Sequence, residues 1–345
     1  MSSLVEEIAS FSNLLRAWKT IRNRLTQEEY LFFFFNLEEN LICLSDALRQ
    51  ASYSPAVMPV RYHLASSGER IPVPCLKDRL VALAARKALL SKLLPSFIYD
   101  TYAGIPSRGV HRAVKRVMEF QRRTASPQNP RSGWILKLDV KDFYPSLRHD
   151  VILRQLKVRI NDTNLVKLIS QFLSGWAGWQ ATPNKGIPLG SSLSPVLSNL
   201  YLDSLDHFVK DGLGFKFYAR YADDMVFVSK DKNELEFILD KTKQFLKEEL
   251  GVFLNPRKTL FKPTADGLDF LGYRIFYYHL LLRKKNMKKV KKRFFNLARR
   301  YAKGDLKLLD IKSSLAGWLG YAGFANTYNF RRKLFADFRL KRAFS

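Results

Sequence analysis

The segment Phe215–Ser229 constrains the fold more than any other part of the chain. It reads Phe-Lys-Phe-Tyr-Ala-Arg-Tyr, then Ala222-Asp223-Asp224, then Met-Val-Phe-Val-Ser. Aromatic and β-branched residues at this density favour two strands. Adjacent carboxylates cannot be buried in such strands without partners, so they belong at the tip of a hairpin. Asp is a common turn residue, and the pair alone would read as an acidic turn and nothing more. Two features change that reading. The flanking strands are strongly apolar, and an earlier run, Trp134-Ile135-Leu136-Lys137-Leu138-Asp139-Val140, reads as a buried strand that also ends on an acid.

These acids lie in a basic chain. Its 345 residues carry 58 Lys and Arg against 31 Asp and Glu, a formal net charge of +27. Such an excess repels itself in a compact chain, so a polyanionic partner is expected, either nucleic acid or an anionic membrane. With 47% apolar and 13% aromatic residues the composition is globular, not disordered. No apolar run reaches the roughly 18 residues of a membrane span. Met1–Arg24 lacks a basic-then-apolar leader. A soluble, cytoplasmic protein with no membrane partner is predicted. Cys43 and Cys75, far apart and without CxxC spacing, read as buried free thiols of a reducing compartment.

Apolar positions at helical spacing over residues 4–50 predict two helices. A Pro-rich extended stretch follows, with a hairpin expected around Ser66-Ser67-Gly68-Glu69, then a helix over Leu76–Leu94. Thr124–Gly133 reads as an exposed loop. Helical text runs from after Val140 to about Phe172, and Gly186–Leu202 is a turn region opening a helix. Leu235–Leu250 reads as an amphipathic helix and Gly267–Leu282 as strands. From Arg283 onward Lys and Arg become dense, with Val290, Phe294 and Leu297 at helical spacing, which predicts a basic helical bundle.

Nucleotide polymerisation uses two Mg2+ ions about 4 Å apart. Mg2+ prefers oxygen ligands, usually one or two carboxylates with substrate phosphates. A few acids on rigid strand ends, in a surface positive enough to hold phosphates, meet that need. The motifs around them resemble those of reverse transcriptases: Leu138-Asp139-Val140-Lys141-Asp142-Phe143-Tyr144, Gly186-Ile187-Pro188-Leu189-Gly190 through Ser194-Pro195, and Tyr221-Ala222-Asp223-Asp224. Leu254-Asn255-Pro256-Arg257-Lys258-Thr259 and Phe270-Leu271-Gly272-Tyr273 continue the series. Arg70-Ile71-Pro72, Asp78-Arg79-Leu80 and Tyr102-Ala103-Gly104 precede it and resemble the family's fingers.

The resemblance implies an α+β right-hand polymerase. Residues 1–50 would be an N-terminal helical extension, 51–135 the fingers, 136–280 a palm with an antiparallel sheet and an interleaved fingers segment at about 150–185, and 281–345 a basic helical thumb. It implies Asp139, Asp223 and Asp224 as metal ligands, Asp224 the least direct, for two Mg2+ ions with Mn2+ as substitute. Tyr144 resembles the gate that collides with a ribose 2'-hydroxyl. Lys258 matches a lysine near the leaving pyrophosphate, where a cation or proton donor lowers the barrier. Arg79 and Arg70 would clamp the triphosphate of a deoxynucleotide, for which planar guanidinium is suited. Leu189 would lie beside the incoming base pair. Phe270, Leu271, Gly272 and Tyr273 resemble the primer grip, and Lys288, Lys291 and Lys292 would track the backbone of an RNA/DNA duplex on its RNA template.

The implied activity is RNA-directed DNA polymerisation in a bacterial or phage retroelement. The layout is closest to diversity-generating retroelement enzymes, an aliphatic Leu189 included, but Ser194-Pro195 stands where those have Ser-Gln. Ile105 stands where the family often has Arg. An antiphage-defence enzyme, protein-primed or template-independent, is the alternative biology, and a non-catalytic nucleic-acid-binding scaffold the alternative class. An accessory protein or self-association is compatible with either.

Overall fold

The computed structural model describes residues 3–56, 61–64, 68, 70–126, 128–129, 132–177 and 183–340. Residues 4–50 form four helices where the periodicity predicted two: α1 (Leu4–Ala9), α2 (Phe11–Ile21), α3 (Gln27–Phe34) and α4 (Leu37–Arg49). Cap-type residues make the extra breaks. Ser10 is extended between α1 and α2. Thr26 and Glu29 close a capping box that starts α3, and Asn36 stands before α4. Because Leu41, Leu44 and Leu48 take the inner face of α4, Cys43 is exposed, and Cys75 is only half-buried. The expectation of two buried thiols is therefore corrected.

Strands β1 (Arg61–Leu64) and β2 (Arg70–Val73) pair antiparallel with Leu64 opposite Arg70, as the predicted hairpin requires. Of its expected turn, Ser66, Ser67 and Glu69 lie outside the described residues. Helices α5 (Leu76–Leu93) and α6 (Val110–Thr124) follow. The stretch predicted as the exposed loop Thr124–Gly133 is less exposed than expected: Thr124 closes α6, Ala125 and Gly133 are buried, and the Gly133 carbonyl accepts a hydrogen bond from Thr264 N (2.8 Å).

Next come β3 (Trp134–Leu138), α7 (Phe143–Ser146), α8 (His149–Arg159), α9 (Thr163–Ala177) and α10 (Ser194–His207). After them stand β4 (Tyr218–Tyr221), β5 (Asp224–Ser229), α11 (Lys232–Phe245) and β6 (Leu260–Pro263). One sheet has the order β4-β5-β3-β6, with β3 and β6 antiparallel. A second is the antiparallel meander of β7 (Leu268–Phe270), β8 (Tyr273–Ile275) and β9 (Leu280–Leu282). The chain closes with α12 (Lys284–Ala302), α13 (Leu308–Gly323) and α14 (Tyr328–Asp337), the helices predicted for the basic section.

The chain forms two compact units. The first comprises Met1–Gly109, Leu138–Met225 and Ile238–Thr259. Its core packs α2 on α5 and α5 on α10, whose residues are nearly all buried. The second comprises Val110–Lys137, Val226–Phe237 and Leu260–Ser345, with Phe294 and Trp318 meeting edge to face at 5.2 Å in its helical part. Among the described residues no helix is long and apolar enough to cross a membrane.

Candidate active site

Asp139 follows the last residue of β3 and is 4% exposed. Its backbone carbonyl accepts from Asn255 N (2.8 Å), Lys141 N donates to Phe253 O (2.8 Å), and Val140 bridges Leu254 antiparallel. These bonds lay the 253–255 segment along Asp139. The turn that follows, closed by Lys258 N to Asn255 O (3.1 Å), brings the Lys258 ammonium to both Asp139 carboxylate oxygens, at 2.8 and 2.9 Å. The hydrogen bond to Asp139 first, with the charges of Asp139, Asp223 and Asp224, holds the ammonium above its ordinary pKa.

The β4–β5 turn is the acid-tipped hairpin predicted. Ala222 takes a left-handed conformation (φ 54°) and Asp223 follows it, half-buried. Burial pushes the Asp223 carboxyl up to about 6; the charges of Asp139 and Asp224 add to the rise, and Lys258 opposes it. Asp139, Asp223, Asp224 and Lys258 thus share one electrostatic neighbourhood. Among the described residues no three His, Cys, Asp or Glu side chains converge into a ready-made cage. Mg2+ binds through one or two carboxylates and completes its shell with water and substrate phosphates. Asp223, raised in energy by burial and by the charge of Asp139, gains from a divalent cation, so the donor set fits.

Tyr144 stands in α7 just after Asp142, itself left-handed (φ 45°). Burial chiefly raises its phenol pKa; Ser198 on α10 hydrogen-bonds it, and Asp223 is close enough to act on it by charge. Tyr144 and Asp223 are therefore neighbours. Tyr144 O accepts from Ile187 N (3.0 Å), which leads to half-buried Leu189. Gly190 (φ 97°) comes so close to β2 that a Cβ would lie 2.7 Å from Ile71 Cγ2, so a side chain there is excluded.

Arg70 is exposed on β2. Arg79 is engaged by Glu29 of α3 at 2.6 Å, and Arg61 reaches the same carboxylate at 3.1 Å. Arg79 also lines a cavity of about 650 Å³ with Ile71, Pro72 and Gly190.

Phe270–Tyr273 and the lysines of α12 belong to the second unit. Leu271 (φ 48°) and Gly272 (φ 91°) form the β7–β8 turn. Asn286 Nδ2 donates to Gly272 O (3.1 Å), and Tyr273 Oη donates to Tyr321 O (2.9 Å). Lys288, Lys291 and Lys292 are exposed while Val290 and Phe294 are buried, the amphipathic division expected of α12.

Sequence reasoning missed the buried polar group behind the β4–β5 turn: Arg220, Asp206 and Asn199, all at most 1% exposed. Its signal was Arg220 itself, a charge inside a strand read as buried, which demands a partner.

Residues 68–275 match the family model for reverse transcriptase (RNA-dependent DNA polymerase), well over half of the chain. The chain belongs to the reverse transcriptase family. It is an RNA-directed DNA polymerase, and its helices with antiparallel sheets agree with the expected α+β class. This reverse transcriptase is similar to Protein YkfC of Escherichia coli (strain K12), 26% identical over 282 residues, which cover 69% of this chain and 72% of that one. It is also similar to the group II intron-encoded protein LtrA of Lactococcus lactis subsp. cremoris, 25% identical over 309 residues, 69% of this chain and 50% of LtrA. The chain thus spans about half of LtrA's length. A telomerase structure from Candida albicans aligns with 77% of this chain and 55% of its own at 14% identity, with a TM-score of 0.49. Reverse transcriptases copy RNA templates with the help of divalent metal ions.

Proposed function

We propose that this reverse transcriptase makes DNA from deoxynucleotides at the Asp139–Asp223–Asp224 site, within a bacterial or phage retroelement. The observation that carries the reading is the meeting of Asp139, Lys258 and Asp223, from three distant parts of the chain, in one electrostatic neighbourhood. Two Mg2+ ions, with Mn2+ as substitute, would be held by Asp139 and Asp223 with Asp224 in support; when bound they supply charge for the attacking hydroxyl and the leaving phosphate. Lys258, its proton held tightly by the surrounding carboxylates, is placed to share its positive charge with the leaving pyrophosphate. Tyr144, beside Asp223, blocks a 2'-hydroxyl.

Leu189 would border the incoming base pair, and Arg70 would bind its triphosphate. Arg79 would do the same once released from Glu29. Phe270–Tyr273 would grip the primer, and Lys288, Lys291 and Lys292 would follow the phosphates of the RNA/DNA duplex. Residues 51–135, 136–280 and 281–345 correspond on this reading to fingers, palm and thumb after the helical extension 1–50. Primer extension on an RNA template tests the proposal, and undiminished extension by an Asp223→Ala, Asp224→Ala variant would refute it.

A further inference from the structure

Arg220 takes no part in the chemistry above, yet it is fully buried on β4. Its guanidinium is used on three sides. Nε and Nη2 donate to the two oxygens of Asp206 (2.8 and 2.6 Å). Nη1 donates to Asn199 Oδ1 (3.1 Å) and to the backbone carbonyl of Ala222 (3.0 Å). Ala222 is the left-handed residue immediately before Asp223, in a conformation disfavoured for a side chain with a Cβ. A charge-assisted bond to its carbonyl therefore bears directly on the direction in which Asp223 leaves the turn.

The partners of Arg220 are themselves fixed. Asp206 also accepts from Tyr218 Oη (2.7 Å) and Thr101 Oγ1 (2.8 Å). Asn199 Nδ2 donates to Ala103 O (2.6 Å). The backbone repeats the link, with Arg220 N to Asp100 O at 2.9 Å and Tyr102 N to Arg220 O at 3.0 Å. Gly104 (φ 66°) lies so near α10 that a Cβ would stand 2.7 Å from Pro195 Cβ. The Tyr102-Ala103-Gly104 motif is thus built into the same node as the metal turn.

A buried ion pair is weak evidence for stability alone, because an apolar pair of similar volume often serves as well. The bond to Ala222 is what an apolar pair could not supply. We infer that Arg220 is a positioning residue: with Asp206 and Asn199 it holds the Ala222 carbonyl and so aims Asp223 and Asp224, and the segment 100–104 is the other half of its mount. The inference rests on the reading of Asp223 as a metal ligand.

Mn2+ binding, followed by electron paramagnetic resonance on the full chain with RNA template, chain-terminated DNA primer and matching deoxynucleotide, tests it alongside kcat and KM. Arg220→Lys and the pair Arg220→Met, Asp206→Leu are compared with wild type, after thermal unfolding has shown a cooperative transition. Mutations of groups that orient ligands typically cost about 10- to 100-fold, so Mn2+ affinity and kcat should each fall by about tenfold or more while KM for deoxynucleotide stays within about threefold. Should both Arg220 variants fail to fold, Asn199→Ala, which leaves the ion pair in place, is expected to lower Mn2+ affinity by about threefold or more on the same grounds. Folded variants with wild-type Mn2+ affinity and kcat overturn the inference. An Asp223→Asn control separates the two levels: if it too binds Mn2+ like wild type, the metal reading itself has failed; if it alone loses Mn2+, only the role of Arg220 has.

Discussion

The Lys258 ammonium sits 2.8 and 2.9 Å from the two carboxylate oxygens of Asp139. A cation bound to Asp139 competes with that ammonium for the same oxygens, while the chemistry gains from a cation near the leaving group. Lys258→Ala should therefore separate two effects. Loss of one acid–base or charge-stabilising group lowers kcat by about 10²-fold, whereas the Mg2+ concentration for half-maximal rate should stay constant or fall. A Mg2+ titration of steady-state primer extension checks this, and a rise in the Mg2+ requirement would show Lys258 helping, not competing, at Asp139.

Asp139→Asn and Asp223→Asn keep the size of the side chain and remove the charge. Each should cut primer extension by at least about 10³-fold, the scale of removing one member of a catalytic unit. Binding of the RNA/DNA duplex, measured by fluorescence anisotropy, should change by no more than a few-fold.

For Tyr144 the expected effect is on sugar choice. Tyr144→Ala should lower discrimination against ribonucleotides by on the order of 10- to 100-fold, the range set by opening a pocket wall. Tyr144→Phe, which keeps the ring and loses only the Ser198 bond, should stay close to wild type. Single-nucleotide incorporation with paired deoxy- and ribonucleotides measures both; equal discrimination by all three proteins would remove the gate role.

Asp203 on α10 offers a pH test of stability. Burial pushes its carboxyl up to about 6, with Asp206 adding to the rise and Arg159 and His207 opposing it. A folded pKa above the unfolded value means that the folded chain holds a proton the unfolded chain has lost. This group's contribution is therefore fully present below about pH 4 and is lost as pH rises to about 6, a loss on the order of 1–3 kcal/mol. Urea unfolding at pH 4 and pH 7 should show Asp203→Asn gaining on wild type between the two. Parallel losses in the two proteins would contradict the assignment.

The exposed lysines of α12 predict a salt effect. Each phosphate contact contributes about 0.7–0.9 to the slope of log K against log salt, so replacing Lys288, Lys291 and Lys292 by Ala should reduce that slope by about 2–3. Discrimination among template sequences should not change, because phosphate contacts carry no base information. Anisotropy titrations at several salt concentrations give the slope directly.

Legibility in the sequence followed the range of the interactions. The strand ending at Asp139, the acid-tipped β4–β5 hairpin and the amphipathic α12 were readable because each depends on alternation or helical spacing within a dozen or so residues. The first fifty residues misled because apolar spacing continues through Ser10 and Asn36, where the backbone does not stay helical. Cys43 misled for a related reason: Leu41, Leu44 and Leu48, close to it in the sequence, lie on a different face of α4.

By itself the sequence determined the chemistry on offer, namely carboxylates at strand ends, a tyrosine after the first of them, a lysine within the Leu254–Thr259 motif and a positive surface. Tertiary structure alone decided which of these meet. Lys258 reaches Asp139 across 119 positions of sequence, and Glu29 takes Arg79 across 50. Arg220 finds in Asp206, Asn199 and Ala222 the partners that a buried guanidinium requires. Local spacing says nothing about such pairings, because a buried charge is satisfied by whatever the packed chain brings within hydrogen-bond distance, and that is a property of the whole fold.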